Sequence, residues 1–267
     1  MKLWVRYFTN QLVKNMAAHS PARLQQERAD QTKARILEAA TQAFGEHGLA
    51  GARTAQIAAA AGVNKALLYY YFRSKDELYD ATLDAAAQQI VSRSMETLNT
   101  GGSAGERLVQ FALNHFDRIH SQQTFQNLMH QEMTRVYRGE KNALSSIVEK
   151  VFRPTTERFF ELVAEGQGTG ELIAASAWQL MNAALGANTF YYLSMPVVRL
   201  LTERDLLSEE QLRRQRKAAV EYLGMTIFSD RANGAAVAAR VLASTPMPPS
   251  GDFKHWKRHT EFEVKRK

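Results

Sequence analysis

Between positions 64 and 75 the chain reads Asn-Lys-Ala-Leu-Leu-Tyr-Tyr-Tyr-Phe-Arg-Ser-Lys, and its chemistry suits a polyanionic partner. The ammonium groups of Lys65 and Lys75 neutralise phosphates, and the phenols of Tyr69, Tyr70 and Tyr71 hydrogen-bond to phosphate oxygens or base edges. Leu68 and Phe72, four apart, give a helix one apolar stripe to press on a core. Lys65, Ala66, Leu67 and the three tyrosines are left on its other faces.

Two neighbouring elements must hold that row in place. Thr54 is an N-cap type, and Ile57, Ala58 and Ala61 recur at helical spacing until Gly62, the residue that most cheaply turns left-handed after a helix end. Asn64 is again an N-cap type, and Ser74-Lys75-Asp76-Glu77 has the form of a capping box that opens a further helix. The spacing predicts helix, glycine turn and helix over about 53–72, the way a major-groove reader is built.

The stretch from Thr54 to Leu78 resembles the DNA-binding segment of the TetR/AcrR family of bacterial transcriptional repressors. The resemblance rests on Thr54, Ile57, Ala58, Ala61, Gly62, Val63, Leu68, Tyr69, Phe72, Lys75 and Leu78. Asn64 stands where serine is usual and keeps the cap. Ala66 replaces the usual glycine and adds a methyl where the family's backbone approaches DNA. The resemblance implies an all-α protein, an N-terminal three-helix helix-turn-helix domain followed by an antiparallel helical bundle for ligand binding and dimerisation. It assigns Thr54, Tyr69, Tyr70 and Lys75 to phosphates. Lys65, Leu67 and Tyr71 are the candidates for base edges. It also implies a homodimer on a double-stranded operator, released by a small lipophilic or amphipathic effector, with no cofactor and no catalysis. A ligand-independent activator or architectural DNA binder is the alternative.

Charge is distributed unevenly in a way that fits a polyanion. Residues 1–75 hold 11 Lys+Arg and 4 Asp+Glu, a net +7; the rest hold 34−11 = 23 basic and 27−4 = 23 acidic groups. The absence of cysteine excludes disulfides and thiolate metal sites and fits a cytoplasmic protein.

Four segments are expected: an N-terminal extension over 1–29, a DNA-binding domain over 30–90, a ligand-binding and dimerisation domain over 91–243, and a Pro-rich linker with a basic tail over 244–267. In residues 1–26, Leu3, Trp4, Tyr7, Phe8 and Leu12 share a helical face with Lys2, Arg6 and Lys14 mostly elsewhere. That pattern is a basic amphipathic helix facing membrane or DNA; the alternatives are a loosely ordered extension, or a start codon assigned upstream of the real one at Met16. Arg6 and Asn10-Gln11 interrupt the apolar run, so neither a signal peptide nor a spanning helix is expected. The first reliable helix begins near Gln31, carries Ile36, Ala39, Ala40, Ala43 and Phe44 on one face and closes at Gly48. Thr32, Lys33 and Arg35 near its start would favour phosphate.

Gly101-Gly102-Ser103-Ala104-Gly105 has the spelling of a nucleophile elbow without the strand before it that such a motif needs, so Ser103 with Glu106 reads as a capping box. The glycines of Gly166-Gln167-Gly168-Thr169-Gly170 likewise follow a helix and are not a dinucleotide loop. Leu172 to Val198 is 27 residues without a charge. Gln179, Asn182, Gly186 and Thr189 share one face, and Trp178, Met181, Leu185, Asn188 and Tyr192 form a neighbouring stripe. The expectation is a bundle helix with a cavity on one side and a partner subunit on the other, with no stable membrane association. By resemblance it pairs with the helix around Gln211 to Phe228 in a two-fold interface rimmed by Arg213, Arg214 and Arg216.

His115 and His120, five apart, lie about 140° around a helix and share no metal. His115, Phe116, His130, Met133 and Phe159 are placed near an inducer cavity with Asn182, Thr189 and Tyr192.

Overall fold

The computed structural model describes residues 21–140, 143–202 and 206–249; the expectations for residues 1–20 and for the tail beyond 249 lie outside them. Two compact units divide the chain, Met1–Thr82 and Leu83–Lys267. Every regular element among the described residues is helical.

The N-terminal unit holds α1 (Pro21–Gly51), α2 (Thr54–Ala60), α3 (Lys65–Tyr71) and the first two turns of α4 (Lys75–Asn99). α1 starts ten residues earlier than the apolar periodicity predicts. Its first turns are exposed and held by Arg23–Glu27 and Gln26–Asp30, side-chain pairs at i,i+4 that need no core. Thr32, Lys33 and Arg35 therefore lie inside a helix rather than at its start. Their backbone N–H groups are spent on the helix, and the end-of-helix argument for phosphate falls. Gly48, at φ 68°, breaks the helical geometry where the glycine signal predicted an end. Ile36, Ala40, Phe44, Ile57, Ala58, Leu68, Phe72, Leu78 and Tyr79 are all buried, with Phe44 edge-on to Tyr79 at 5.0 Å.

In the second unit, α5 (Ala104–Ser121) is the central element, burying Leu108, Val109, Ala112, Leu113, Phe116 and Ile119. Around it lie α6 (Gln123–Tyr137), α7 (Leu144–Ile147), a π-helical turn (Val148–Phe152), α8 (Arg153–Gly168), α9 (Ala177–Thr202), α10 (Glu209–Ile227) and α11 (Arg231–Ser244). Ser103 caps α5, accepting from the Glu106 N–H at 3.3 Å. Its own hydroxyl donates to Glu171, whose other oxygen accepts from the Gly105 N–H. Helix α4 precedes this serine, and its hydroxyl is committed to structure.

Three expectations for the bundle change. The uncharged stretch becomes helical at Ala177 rather than Leu172, because Leu172 forms an isolated antiparallel bridge with Phe228 and Ile173 N–H donates to Ile227 C=O at 3.0 Å. The inward face of α9 is Leu180, Met181, Ala184, Asn188, Tyr192 and Met195, whereas Trp178 is exposed beside Phe160. The Pro-rich segment after α11 is held rather than free: Arg216 donates to Thr245 C=O at 2.9 Å, Thr245 bonds Gln110, and Met247 packs on the Phe116 cluster.

Candidate nucleic-acid interface

The turn between α2 and α3 is built as its residue types require. The Gly62 N–H donates to Ala59 C=O and the Val63 N–H to Ala58 C=O, the two bonds of a Schellman cap, with Gly62 at φ 65°. The Asn64 side chain then accepts from the Leu67 N–H at 2.7 Å and starts α3. Leu68 and Phe72 are 0% and 2% exposed, so the register of the reading helix is fixed from inside. Ser74 accepts from the Glu77 N–H, and Glu77 reaches back to the Arg73 N–H, which starts α4.

With that register set, Asn64, Lys65, Ala66, Leu67, Tyr69 and Tyr70 are exposed, Tyr70 most of all at 80%. Tyr71 is half-buried and edge-on to Tyr70 at 5.4 Å, so its role at a base edge is restricted by packing. Thr54 is the first helical residue of α2 and not its cap, which is Arg53 with no side-chain bond. The Thr54 hydroxyl instead meets the Tyr69 hydroxyl at 3.2 Å, joining two of the predicted phosphate contacts across the motif. Lys65 lies over the Tyr69 ring at 5.8 Å. Lys75 is half-buried and donates to Ala50 C=O at 3.1 Å, so one of its protons ties the start of α4 to the end of α1.

One cation escaped the sequence reading: Arg53 is exposed next to Thr54, and the charge balance of residues 1–75 was the signal available for it. Arg35, expected near phosphate for its place at a helix start, instead sits over Gly62, where an added Cβ would come within 3.5 Å of its guanidinium.

Residues 36–82 match the family described as bacterial regulatory proteins, tetR family. Residues 36–82 of the N-terminal unit are thus similar to the DNA-binding domain of that family. HTH-type transcriptional repressor SCO4008 of Streptomyces coelicolor is 46% identical over 69 residues, 26% of this chain and 32% of its own length. HTH-type transcriptional activator FasR of Mycolicibacterium smegmatis is 28% identical over 140 residues, 52% of this chain and 62% of its length. The match thus spans 32% and 62% of these two relatives, and both are regulators rather than enzymes. Among solved structures, a TetR/AcrR-family regulator from Thermobifida fusca has a TM-score of 0.53 at 22% identity, covering 72% of this chain and 95% of its own. A gamma-butyrolactone receptor, an ArpA-like protein, has a TM-score of 0.53 at 20% identity, covering 82% and 100%. At these identities the likeness is one of fold.

In this chain the predicted effector residues do not converge. Phe116 and Tyr192 meet at 5.5 Å between ring centroids within one buried cluster, while Phe159 packs on Phe111 in another. His130 and Met133 are exposed on α6, and Asn182 and Thr189 are exposed on the outer face of α9. Their helical spacing was legible, but which face turned inward was decided by Leu180, Ala184 and Asn188 packing on α5. His115 lies on α5 with its Nδ1 enclosed and unpartnered.

The second unit does contain a cavity of about 270 Å³, lined by Arg93 and Ser94 of α4, by Phe111, Asn114, Asp117, Arg118 and Ser121 of α5 with Gln122 beyond it, and by Pro246 and Pro248. None of the eight predicted residues is in that lining. The row Asn114, Arg118 and Ser121, at spacings of four and three on one helix face, was the readable trace of it.

Proposed function

We propose that the protein is a dimeric, sequence-specific transcriptional repressor whose α3 enters the major groove and which a small effector releases from its operator. The observation that carries this is the inward seating of Leu68 and Phe72, which presents Lys65, Leu67, Tyr69 and Tyr70 together on an Asn64-capped helix. Phosphate contacts from Thr54, Tyr69 and Tyr70 position that helix, and Lys65 and Leu67 reach base edges.

Dimerisation is supported by apolar surface on the bundle. On α9, Phe190, Leu193, Val197, Leu200 and Leu201 are each more than half exposed, and on α10 Tyr222 and Met225 are 58% and 48% exposed. Apolar area of this extent on helix faces marks an interface, and a two-fold axis makes one such patch serve both copies. Arg213 and Arg214 stay exposed beside it, paired with Glu209 and Glu210. Arg216 does not lie on the rim, since it is buried against Asp117.

An effector in the second unit reaches the first through α4, one helix shared by both. Release requires that the effector bind one arrangement of the dimer better than the other. The activator reading is kept open by the relative named as an activator. Selection of bound duplexes from a random pool tests the reading: enriched sequences should hold two inverted half-sites with centres ~34–36 Å apart or a multiple of that. A pool in which no sequence is enriched sinks it.

A further inference from the structure

The cavity under the Pro-rich segment has an unusual charge balance. Asp117, its one carboxylate, is already used: Arg216 holds it through two bonds of 2.7 and 2.8 Å. Arg118 lines the same cavity with no carboxylate partner among the described residues, and its Nε is sealed from solvent without an acceptor there. Arg93, on the facing α4, is exposed and likewise unpaired among the described residues. Enclosure and the Arg93 charge draw Arg118 down to about 10, which still leaves it cationic at neutral pH. A buried guanidinium N–H without an acceptor is destabilising until one arrives.

The remaining walls define the acceptor. Phe111, Pro246 and Pro248 are apolar, and Asn114 is spent on Thr97 and Gln110. The volume lies just below the range of ~300–1,000 Å³ of ordinary ligand sites, room for one small molecule. One enclosed guanidinium fork matches one carboxylate bidentately, whereas Asp117 in the wall disfavours a dianion.

We infer that this cavity is the effector site and that its ligand is a small organic monocarboxylic acid, its carboxylate on Arg118 and its apolar body against Phe111 and the prolines. The assignment rests on the ligand-responsive reading proposed above. It also gives the Pro-rich segment a role: pinned by Arg216 and Gln110, it forms the outer wall of the site.

The test uses the full chain with two isosteric pairs as probes, benzoate with benzamide and hexanoate with hexanamide, followed by thermal melting and calorimetry. The acids should raise the melting midpoint by mass action and the amides should not. Arg118→Met, which keeps the length and removes the charge, should abolish the shift by acids. In the ligand-free protein it should raise the midpoint by about 2–4 °C, because an uncompensated charge is gone. Amides stabilising as well as acids, no acid stabilising the wild type, or Arg118→Met lowering the ligand-free midpoint would each overturn the inference. The two levels separate in a mobility-shift assay. Neutral compounds that release DNA leave the regulator reading standing without the acid site. Acids that bind through Arg118 yet leave DNA affinity unchanged keep the site and remove the release mechanism.

Discussion

Lys65 is the exposed cation at the start of the reading helix, and the ring of Tyr69 holds it near α3 rather than leaving it fully extended. An ammonium group at a guanine edge contributes to one base pair. Lys65→Ala should therefore cost ~1–3 kcal/mol on the selected operator and relax preference at one position of the half-site. Equal weakening on all sequences, read by titrating a panel of single-base variants, would assign Lys65 to phosphate instead. A second residue-scale prediction concerns Asp117 and Arg216, whose bidentate pair is buried in the bundle. Asp117→Ala strands the guanidinium and should destabilise by ~3–5 kcal/mol in urea unfolding, while the double change Asp117→Leu with Arg216→Met should recover most of that loss. If both variants lose the same stability, the pair holds the bundle by geometry rather than by charge compensation.

At the scale of elements, α10 and α11 cross at their glycines. A Cβ on Gly224 would lie 2.5 Å from the Gly234 carbonyl oxygen, and one on Gly234 would press closer still on Gly224. Backbone meets backbone there, so no side-chain rotation relieves the contact. Gly234→Ala should cost ~1–3 kcal/mol by overpacking, read from the denaturation midpoint, whereas Ala235→Ser on the exposed side should be neutral. In the N-terminal unit the same kind of local chemistry was legible in advance. The Gly62 turn, the Asn64 cap and the inward pair Leu68 and Phe72 each depend on residues within a few positions of one another. The start of α1 was not legible, because its first turns bury nothing and leave no apolar period to read.

For the molecule as a whole, acid stability follows from α5. Burial holds His115 well below the ordinary imidazole value of 6.5, with Arg118 adding to the effect. His120 is lowered chiefly by burial as well, against a raising pull from Asp117. Both histidines bind protons more readily unfolded than folded. Their contribution to stability is complete above pH 6.5 and is lost as pH falls below it. The melting midpoint should drop as pH falls below the ordinary imidazole value of 6.5, and His115→Leu should flatten that drop; an unchanged slope in the variant would show that His115 does not carry it. The exposed apolar faces of α9 and α10 belong to this scale too, since in the proposed dimer a second copy covers them.

The sequence by itself determined the helix-turn-helix and the register of its reading helix, because caps, glycine turns and i,i+4 apolar pairs act over a single turn of chain. It also determined that the rest is a helical bundle. Only the tertiary structure decided which side of α9 faces inward, that Arg216 is buried rather than peripheral, and that Arg118 lines a cavity closed by Pro246 and Pro248. Asp117 and Arg216 are 99 positions apart, and Arg118 is more than a hundred from the prolines. No local periodicity connects residues at that separation, and the packing of whole helices is what brings them together.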